Sequence, residues 1–260
     1  MIDVKYRRFG ILPTRAVFFP NVLPKLDKCH FVQLMSYHKL PYNRLPFYKE
    51  SNYWHSRTSH IDLTPDLDKI FSKIQKKRRY IIRRGLTIGY HIYSQQPTLP
   101  LLRLFRSIHN HTIAKKSGGQ FLIHLDFYKA VINNMTAFIG EYDGRLLEIM
   151  LVIHDNEKAW CYQIVRPKTE LSSEITYYIG SVLQWEVIIQ LKKKGCRFFD
   201  FGGIVLNPSH EFYDFSKYKI SFGGEFSDIY WYYGGVSPAG NFSDAFRNKM
   251  QRMLHGKSNH

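Results

Sequence analysis

Residues 197–226 read RFFDFGGIVLNPSHEFYDFSKYKISFGGEF and hold two diglycines, Gly202-Gly203 and Gly223-Gly224, each following an aromatic and apolar run. A short apolar run closed by glycine reads as a buried strand entering a turn, which predicts a strand over residues 196 to 201. Asp200-Phe201-Gly202 also spells the metal-binding triplet of protein kinases. A kinase would need a glycine-rich phosphate loop, a Lys on a following strand and an H-R-D loop upstream. The sequence has none of these, and it lacks both G-x-x-x-x-G-K-[ST] and G-x-G-x-x-G. The triplet is coincidental.

The segments before this stretch supply its setting. A long helix is predicted from about Ser172 to Lys194, with Ile175, Tyr178, Ile179, Val182, Trp185 and Ile189 on its apolar side, lysines at its negative end and Gly195 as its stop. Ahead of it, TAFIGEYDGRLLEIMLVIHDNEKAWCYQIVRP carries turn signals at Asp143-Gly144 and Asp155-Asn156 between three apolar runs, the pattern of an antiparallel meander. Further upstream, DLTPDLDKIFSKIQKKRRYIIRRG predicts one helix, with Thr64 as cap, Pro65 in its first turn, and Gly85 as its end. LTIGYHIY reads as a strand; residues 98–116 and 125–134 read as helices around a Gly118-Gly119 turn. SDIYWYYGG reads as a strand and SDAFRNKMQRML as a closing helix. Residues 1–60 show no sustained period and read as short strands and irregular chain.

The 44% hydrophobic and 16% aromatic content exclude a disordered chain. Lys and Arg number 37 against 21 Asp and Glu, a formal charge of +16, so the surface should attract RNA, nucleotide phosphates or anionic headgroups. Three cysteines with no C-x-x-C pair indicate neither a disulfide framework nor a cysteine zinc site and suit a reducing cytoplasm. His109-Asn110-His111 has no carboxylate or thiol at ligand spacing, so no metal is expected. Pro13, Pro20 and Pro24 interrupt the amino end before a signal-peptide core could form. No window reaches the roughly 18 apolar residues of a spanning helix. The expectation is a cytoplasmic protein, with peripheral association at the inner face of an anionic membrane left open, and no DNA partner.

Three segments in order carry a family resemblance: the acid-capped, basic-ended helix IDLTPDLDKIFSKIQKKRRYIIRRG, the long helix running through KKKGCRFFDFGGI into its strand, and YKISFGGE. Together they resemble the Fem-type peptidoglycan aminoacyltransferases and related single-domain acyltransferases of the GNAT superfamily. YKISFGGE is similar to the family's aromatic-Lys-x-x-Phe-Gly-Gly signature. The resemblance covers roughly residues 60–235 and implies an α/β (α+β) fold: a GNAT-like mixed, largely antiparallel central sheet flanked by helices. Residues 61–260 would form that domain, and residues 1–60 an extension packed on it. Fem-type enzymes resemble two fused GNAT units, and residues 1–60 are too short for a second. VRPKTELSS also lacks the glycine-rich pyrophosphate cradle of acetyl-CoA enzymes, which leaves the donor open between acyl-CoA, the preferred reading, and aminoacyl-tRNA. Either would be a co-substrate, with no bound cofactor.

The implied reaction moves an acyl group to an amine of a sugar or cell-wall precursor by direct attack. It needs a proton acceptor and positive charge where the carbonyl oxygen gains electrons. The resemblance implies that Lys219 contacts the donor carbonyl or phosphate; a solvated surface Lys is the bland alternative. Asp200 ends an apolar strand and either anchors the Gly202-Gly203 turn or binds the acceptor amine. Glu148 interrupts the apolar run LLEIMLVI and is a candidate general base, although a Glu on the solvent side of an edge strand is the commoner explanation. Glu225 is a third carboxylate beside the motif.

Seven basic and no acidic residues lie between Lys73 and Arg84. Lys76, Lys77, Arg79 and Arg83 are predicted on one side, suited to phosphates, with Arg83 expected to approach the sheet because it follows Tyr80-Ile81-Ile82. A plain charged face is the alternative. Tyr177, Tyr178 and Trp160 are candidate walls of a sugar or acyl pocket, with core packing as the alternative. Tyr218, Phe222 and the two diglycines complete the candidate binding set. A noncatalytic RNA- or membrane-binding protein that kept the fold is the contrasting class.

Overall fold

The computed structural model describes residues 1–8, 11–117 and 125–242. In chain order the strands are β1 (Ile2–Arg8), β2 (Leu12–Phe18), β3 (Phe31–Ser36), β4 (Tyr53–Asp62), β5 (His91–Gln95), β6 (Met135–Tyr142), β7 (Arg145–His154), β8 (Lys158–Val165), β9 (Phe198–Ile204) and β10 (Glu225–Gly235). The helices are α1 (Leu67–Lys73), α2 (Lys76–Leu86), α3 (Leu99–Ser117), α4 (Leu125–Val131), α5 (Ser173–Lys193) and α6 (Tyr213–Ile220). The chain forms two compact units, one of residues 1–55, 102–131 and 228 onward, the other of residues 56–101 and 132–227.

The first unit contains β1, β2, β3 and most of β10, hydrogen-bonded in that order; β2 and β3 run parallel and the other two pairings are antiparallel. Val17, Val32, Leu34 and Tyr232 lie in its core, and Phe127 of α4 packs on Phe18.

In the second unit the strand order is β4-β9-β8-β7-β6-β5, antiparallel except for β8 and β9. The meander follows from its turns, since Asp143 and Gly144 both take the positive φ (50° and 68°) of a tight hairpin. α5 begins with Ser172, whose hydroxyl caps the Ile175 N–H, and ends at Gly195, where φ is 87°. Its apolar side joins Ile61, Phe138, Met150, Phe199 and Phe222 in one core. The chain thus forms a mixed α/β fold with largely antiparallel sheet and flanking helices.

The helix expected over 65–84 is two helices. Ile74 and Gln75 take extended ψ values of 137° and 141° between α1 and α2. Three contacts stabilise the break, one from far along the chain and two from Arg79 of α2. Gln75 N–H donates to the Ser221 carbonyl at 2.9 Å, while the Arg79 guanidinium donates to the carbonyls of Ser72 (2.7 Å) and Ile74 (2.5 Å) left at the end of α1. Thr64 is not the cap: its hydroxyl donates to Asp62, and Asp66 occupies the cap position. Gly85 does not end the helix either. It sits within α2, where a Cβ would overlap Val182 of α5, so it permits close approach of the two helices. LTIGYHIY turns extended only from His91, after Gly89 at φ 86°. The Gly118-Gly119 turn and the closing SDAFRNKMQRML helix lie outside the described residues.

Candidate functional site

β8 and β9 pair in parallel only at Lys158–Phe198, Ala159–Phe199 and Trp160–Asp200, although both strands continue for several residues. Beyond those pairs the two strands diverge, with no ladder between them among the described residues. Gly202 explains the divergence on the β9 side: its φ is 84°, and the β4–β9 register shifts between Thr58 and His60 opposite it. Asp200, wholly buried, fixes this kink by accepting from the Gly202 N–H at 2.6 Å and from the Thr58 hydroxyl. Of the two roles expected for Asp200, this arrangement matches the anchor of the glycine turn.

A cavity of about 590 Å³ opens at the fork. Cys161 and Ile164 of β8 and Phe201 of β9 line its strand side, with Glu148 of β7 beside them; Arg78, Tyr177, Ser181 and Gln184 come from α2 and α5; Asp214, Phe215, Tyr218 and Lys219 come from α6; and Arg166 follows β8. Its volume suits a small molecule or one arm of a larger one.

Glu148 is 1% exposed, and β7 is an interior strand, so the commoner expectation of a solvent-facing Glu on an edge strand is overturned. Its Oε2 accepts from Arg166 Nε at 2.5 Å. Burial raises the Glu148 pKa, and the Arg166 charge and hydrogen bond oppose that rise. Gly180 makes room for the pair, since a Cβ there would overlap the Arg166 guanidinium.

Lys219 lines the same cavity, and its Nζ donates to the Gly203 carbonyl at 2.7 Å. Burial lowers its pKa, with Cys161 and Asp200 acting in the opposite direction. Lys219 therefore works with the first diglycine. The second packs elsewhere: at φ 77°, a Cβ on Gly223 would overlap the Lys73 carbonyl, and one on Gly224 would lie 2.6 Å from the His60 carbonyl. Phe222 is buried against Phe201 and Tyr218, so the Phe-Gly-Gly bend is docked on the α1–α2 break.

The other expected residues separate. Tyr177 and Tyr218 line the cavity, and Tyr218 donates to the Gly180 carbonyl at 2.8 Å. Tyr178 packs at Gly85 instead. Trp160 is buried edge-on to Tyr162, beneath the kink at Gly202. Glu225 is exposed, beside a small crevice with His60 and Lys73. Lys76 and Lys77 are exposed on α2, and Arg79 holds the helix break. Arg83 does not approach the sheet; it is exposed, with its guanidinium 5.3 Å from the Phe71 ring.

The α2 cation that enters the cavity is Arg78, absent from the expected set. Its Nε donates to Ser221 Oγ at 2.8 Å, its Nη1 to Ser181 Oγ at 2.7 Å, and its guanidinium lies 4.4 Å from the Tyr218 ring centroid. The signal was spacing: Arg78 stands three, four and seven residues before the buried Ile81, Ile82 and Gly85, on one face of α2. Arg166, Ser181 and Gln184 were also missed. Nothing in the local pattern around Arg166 marks it, and the two α5 residues look polar within a helix that is buried almost all round.

No protein-family model matches the sequence, and no curated protein does. Solved structures do. One is FemX, aligned over 85% of this chain and 81% of that one, at 11% identity and a TM-score of 0.59. Another is the C-terminal domain of a protein described as a lysylphosphatidylglycerol synthetase from Agrobacterium fabrum, over 96% and 84%, at 11% identity and a TM-score of 0.50. The fold is accordingly similar to that of FemX.

Proposed function

We propose that the protein is an N-acyltransferase that joins an activated acyl group to an amine by direct attack. The observation that carries this reading is the strand fork at Trp160 and Asp200, which opens into one cavity holding a buried carboxylate, Glu148, and a partly buried ammonium, Lys219. The strands diverging beyond the fork open a slot in which an amide-bearing donor arm, such as that of acyl-CoA, would lie extended.

In this mechanism the acceptor amine attacks the donor carbonyl carbon. Lys219 faces the oxygen as it gains negative charge, an effect strengthened by removal from water. Glu148 takes the proton released by the attacking nitrogen and passes it to the departing thiolate or alkoxide, so the carboxylate is regenerated. Its burial-raised pKa brings it closer to the basicity this task needs. A covalent enzyme intermediate has little support. The Cys161 thiol is pushed up to about 12 by burial, Ser181 is committed to Arg78, and no imidazole is among the described cavity residues.

Aminoacyl-tRNA is the second donor reading. It is favoured by the exposed Lys76, Lys77, Arg83 and Arg84 on the helix that sends Arg78 into the cavity, by the +16 charge, and by the likeness in fold to FemX and the lysylphosphatidylglycerol synthetase domain. Mass spectrometry after incubation with acyl-CoA or aminoacyl-tRNA and a panel of amino sugars and cell-wall precursors tests both. An acylated amine that disappears in Glu148→Gln and Lys219→Met supports the reading. Absence of transfer from every donor rejects it.

A further inference from the structure

The cavity wall built by α2 and α5 carries a charge that the cavity's other groups leave unbalanced. Glu148 is engaged by Arg166, and Asp214 by Lys217 at 2.6 Å outside the cavity. Arg78 has two hydroxyls and an aromatic ring around it and no carboxylate paired with it among the described residues. A guanidinium stays charged in a protein, so a half-buried one without a counterion represents an unmet demand.

Its geometry is already fixed. Ser221 and Ser181 hold Nε and Nη1, Tyr218 covers one face, and Nη2 has no acceptor among the described residues. An independent observation lies one turn along α5 from Ser181. Gln184 is 1% exposed and lines the cavity, yet its amide nitrogen has no hydrogen-bond partner in the structure. Buried donors are nearly always satisfied, so an orphan on a residue that lines a cavity points to an acceptor supplied by the ligand. A cation and an unfilled amide donor on one wall match the same chemical group.

We infer that Arg78 and Gln184 form a subsite for an oxyanion, a carboxylate or phosphate, carried by the acceptor near the amine that is acylated. The inference rests on the acyltransferase reading for the word acceptor and narrows it to small anionic amines. Ser181, Ser221 and Tyr218 position Arg78. The subsite rejects neutral amines because they leave the guanidinium and the amide unpaired.

Equilibrium calorimetry on the full chain, with no donor present, tests this with two matched pairs. Lysine against 1,5-diaminopentane reads the carboxylate; glucosamine 6-phosphate against glucosamine reads the phosphate. The member of at least one pair that carries the oxyanion should bind about tenfold tighter or better. Arg78→Gln should erase that difference, with the affinity of the member lacking the oxyanion unchanged and the circular dichroism and melting curve of the wild type retained. Gln184→Leu keeps Arg78 in place and should weaken the oxyanion-bearing member alone by several-fold. The inference is overturned if both members of each pair bind alike, if none binds, or if the preference survives both substitutions. Because no donor is present, that failure leaves acyl transfer standing. Anion preference without transfer would remove the reaction and keep the site.

Discussion

Glu148 and Arg166 form an ion pair whose ends meet different surroundings: the carboxylate side chain is 1% exposed, the guanidinium 51%, and 2.5 Å separates Oε2 from Nε. A charge at the Glu148 position is costly without its partner, whereas Arg166 keeps part of its hydration. The pair therefore holds an ionised carboxylate in a wall that would otherwise favour the neutral acid.

Arg166→Met should destabilise the protein by about 3 kcal/mol near neutral pH, the low end for a broken buried pair because water reaches the guanidinium. The deficit should depend on pH. Burial raises the folded-state pKa of Glu148 above its ordinary value of 4.5, so its protonated form costs nothing below that value and stability is lost as pH rises through the folded pKa. Without Arg166 the folded pKa rises further, so the gap between variant and wild type should be small at acid pH and widen as pH rises above the wild type's folded pKa toward neutrality. Urea melts across that range measure it; a gap independent of pH would remove the pair from the explanation.

Gly180 and Gly223 both exclude a Cβ, with opposite expected consequences. At Gly180 the clash is with the far end of the Arg166 side chain, which can shift toward solvent while keeping its contact with Glu148, so Gly180→Ala should cost about 1 kcal/mol while activity falls at least tenfold as the Arg166–Glu148 geometry loosens. At Gly223 the clash is with the Lys73 backbone and φ is positive, so Gly223→Ala should cost about 3 kcal/mol. Thermal melts paired with turnover separate the two; a large stability loss at Gly180 would contradict this assignment.

These contrasts show which parts of the molecule were legible in the sequence. The meander and α5 with its Gly195 stop depend on local chemistry, namely apolar runs and positive-φ turns, and they formed where expected; the Ser172 cap was not singled out in the sequence. The α1–α2 break could not be read because one of its hydrogen bonds is to Ser221, far along the chain, and the other two need Arg79 folded back on the end of α1. That break resets the helical phase, so Arg78 rather than Arg83 reaches the cavity. Glu148 was noticed, but the depth of β7 is a property of strand order that one strand's pattern does not encode. Lys219 was found through its motif; its bond to Gly203 depends on a kink fixed by Asp200 and Thr58.

That kink supplies a third prediction. Asp200→Asn preserves an oxygen for the Gly202 N–H and should cost about 1 kcal/mol, whereas Asp200→Ala leaves that buried N–H without its acceptor and should cost about 3 kcal/mol. Thr58→Val should fall between them. In all three, turnover should drop further than stability, because Lys219 takes its position from the next residue's carbonyl. Equal fractional losses of stability and activity would detach Lys219 from the kink.

The exposed cations of α2 distinguish the donors. Lys76, Lys77, Arg83 and Arg84 stand in solvent, and Arg84 has a single long contact to Glu174 at 3.6 Å, so reversing Lys76, Lys77 and Arg83 to Glu should shift stability by less than about 1 kcal/mol. If aminoacyl-tRNA is the donor, its affinity should fall steeply between about 50 and 200 mM salt, and the triple variant should both weaken binding and flatten that dependence, since fewer phosphates are neutralised. An acyl-CoA donor carries few phosphates, so its salt slope should be shallow and change little on reversal. Titration of each donor against wild type and variant over that salt range gives the answer. A steep slope untouched by the reversal would move the phosphate-binding surface off α2.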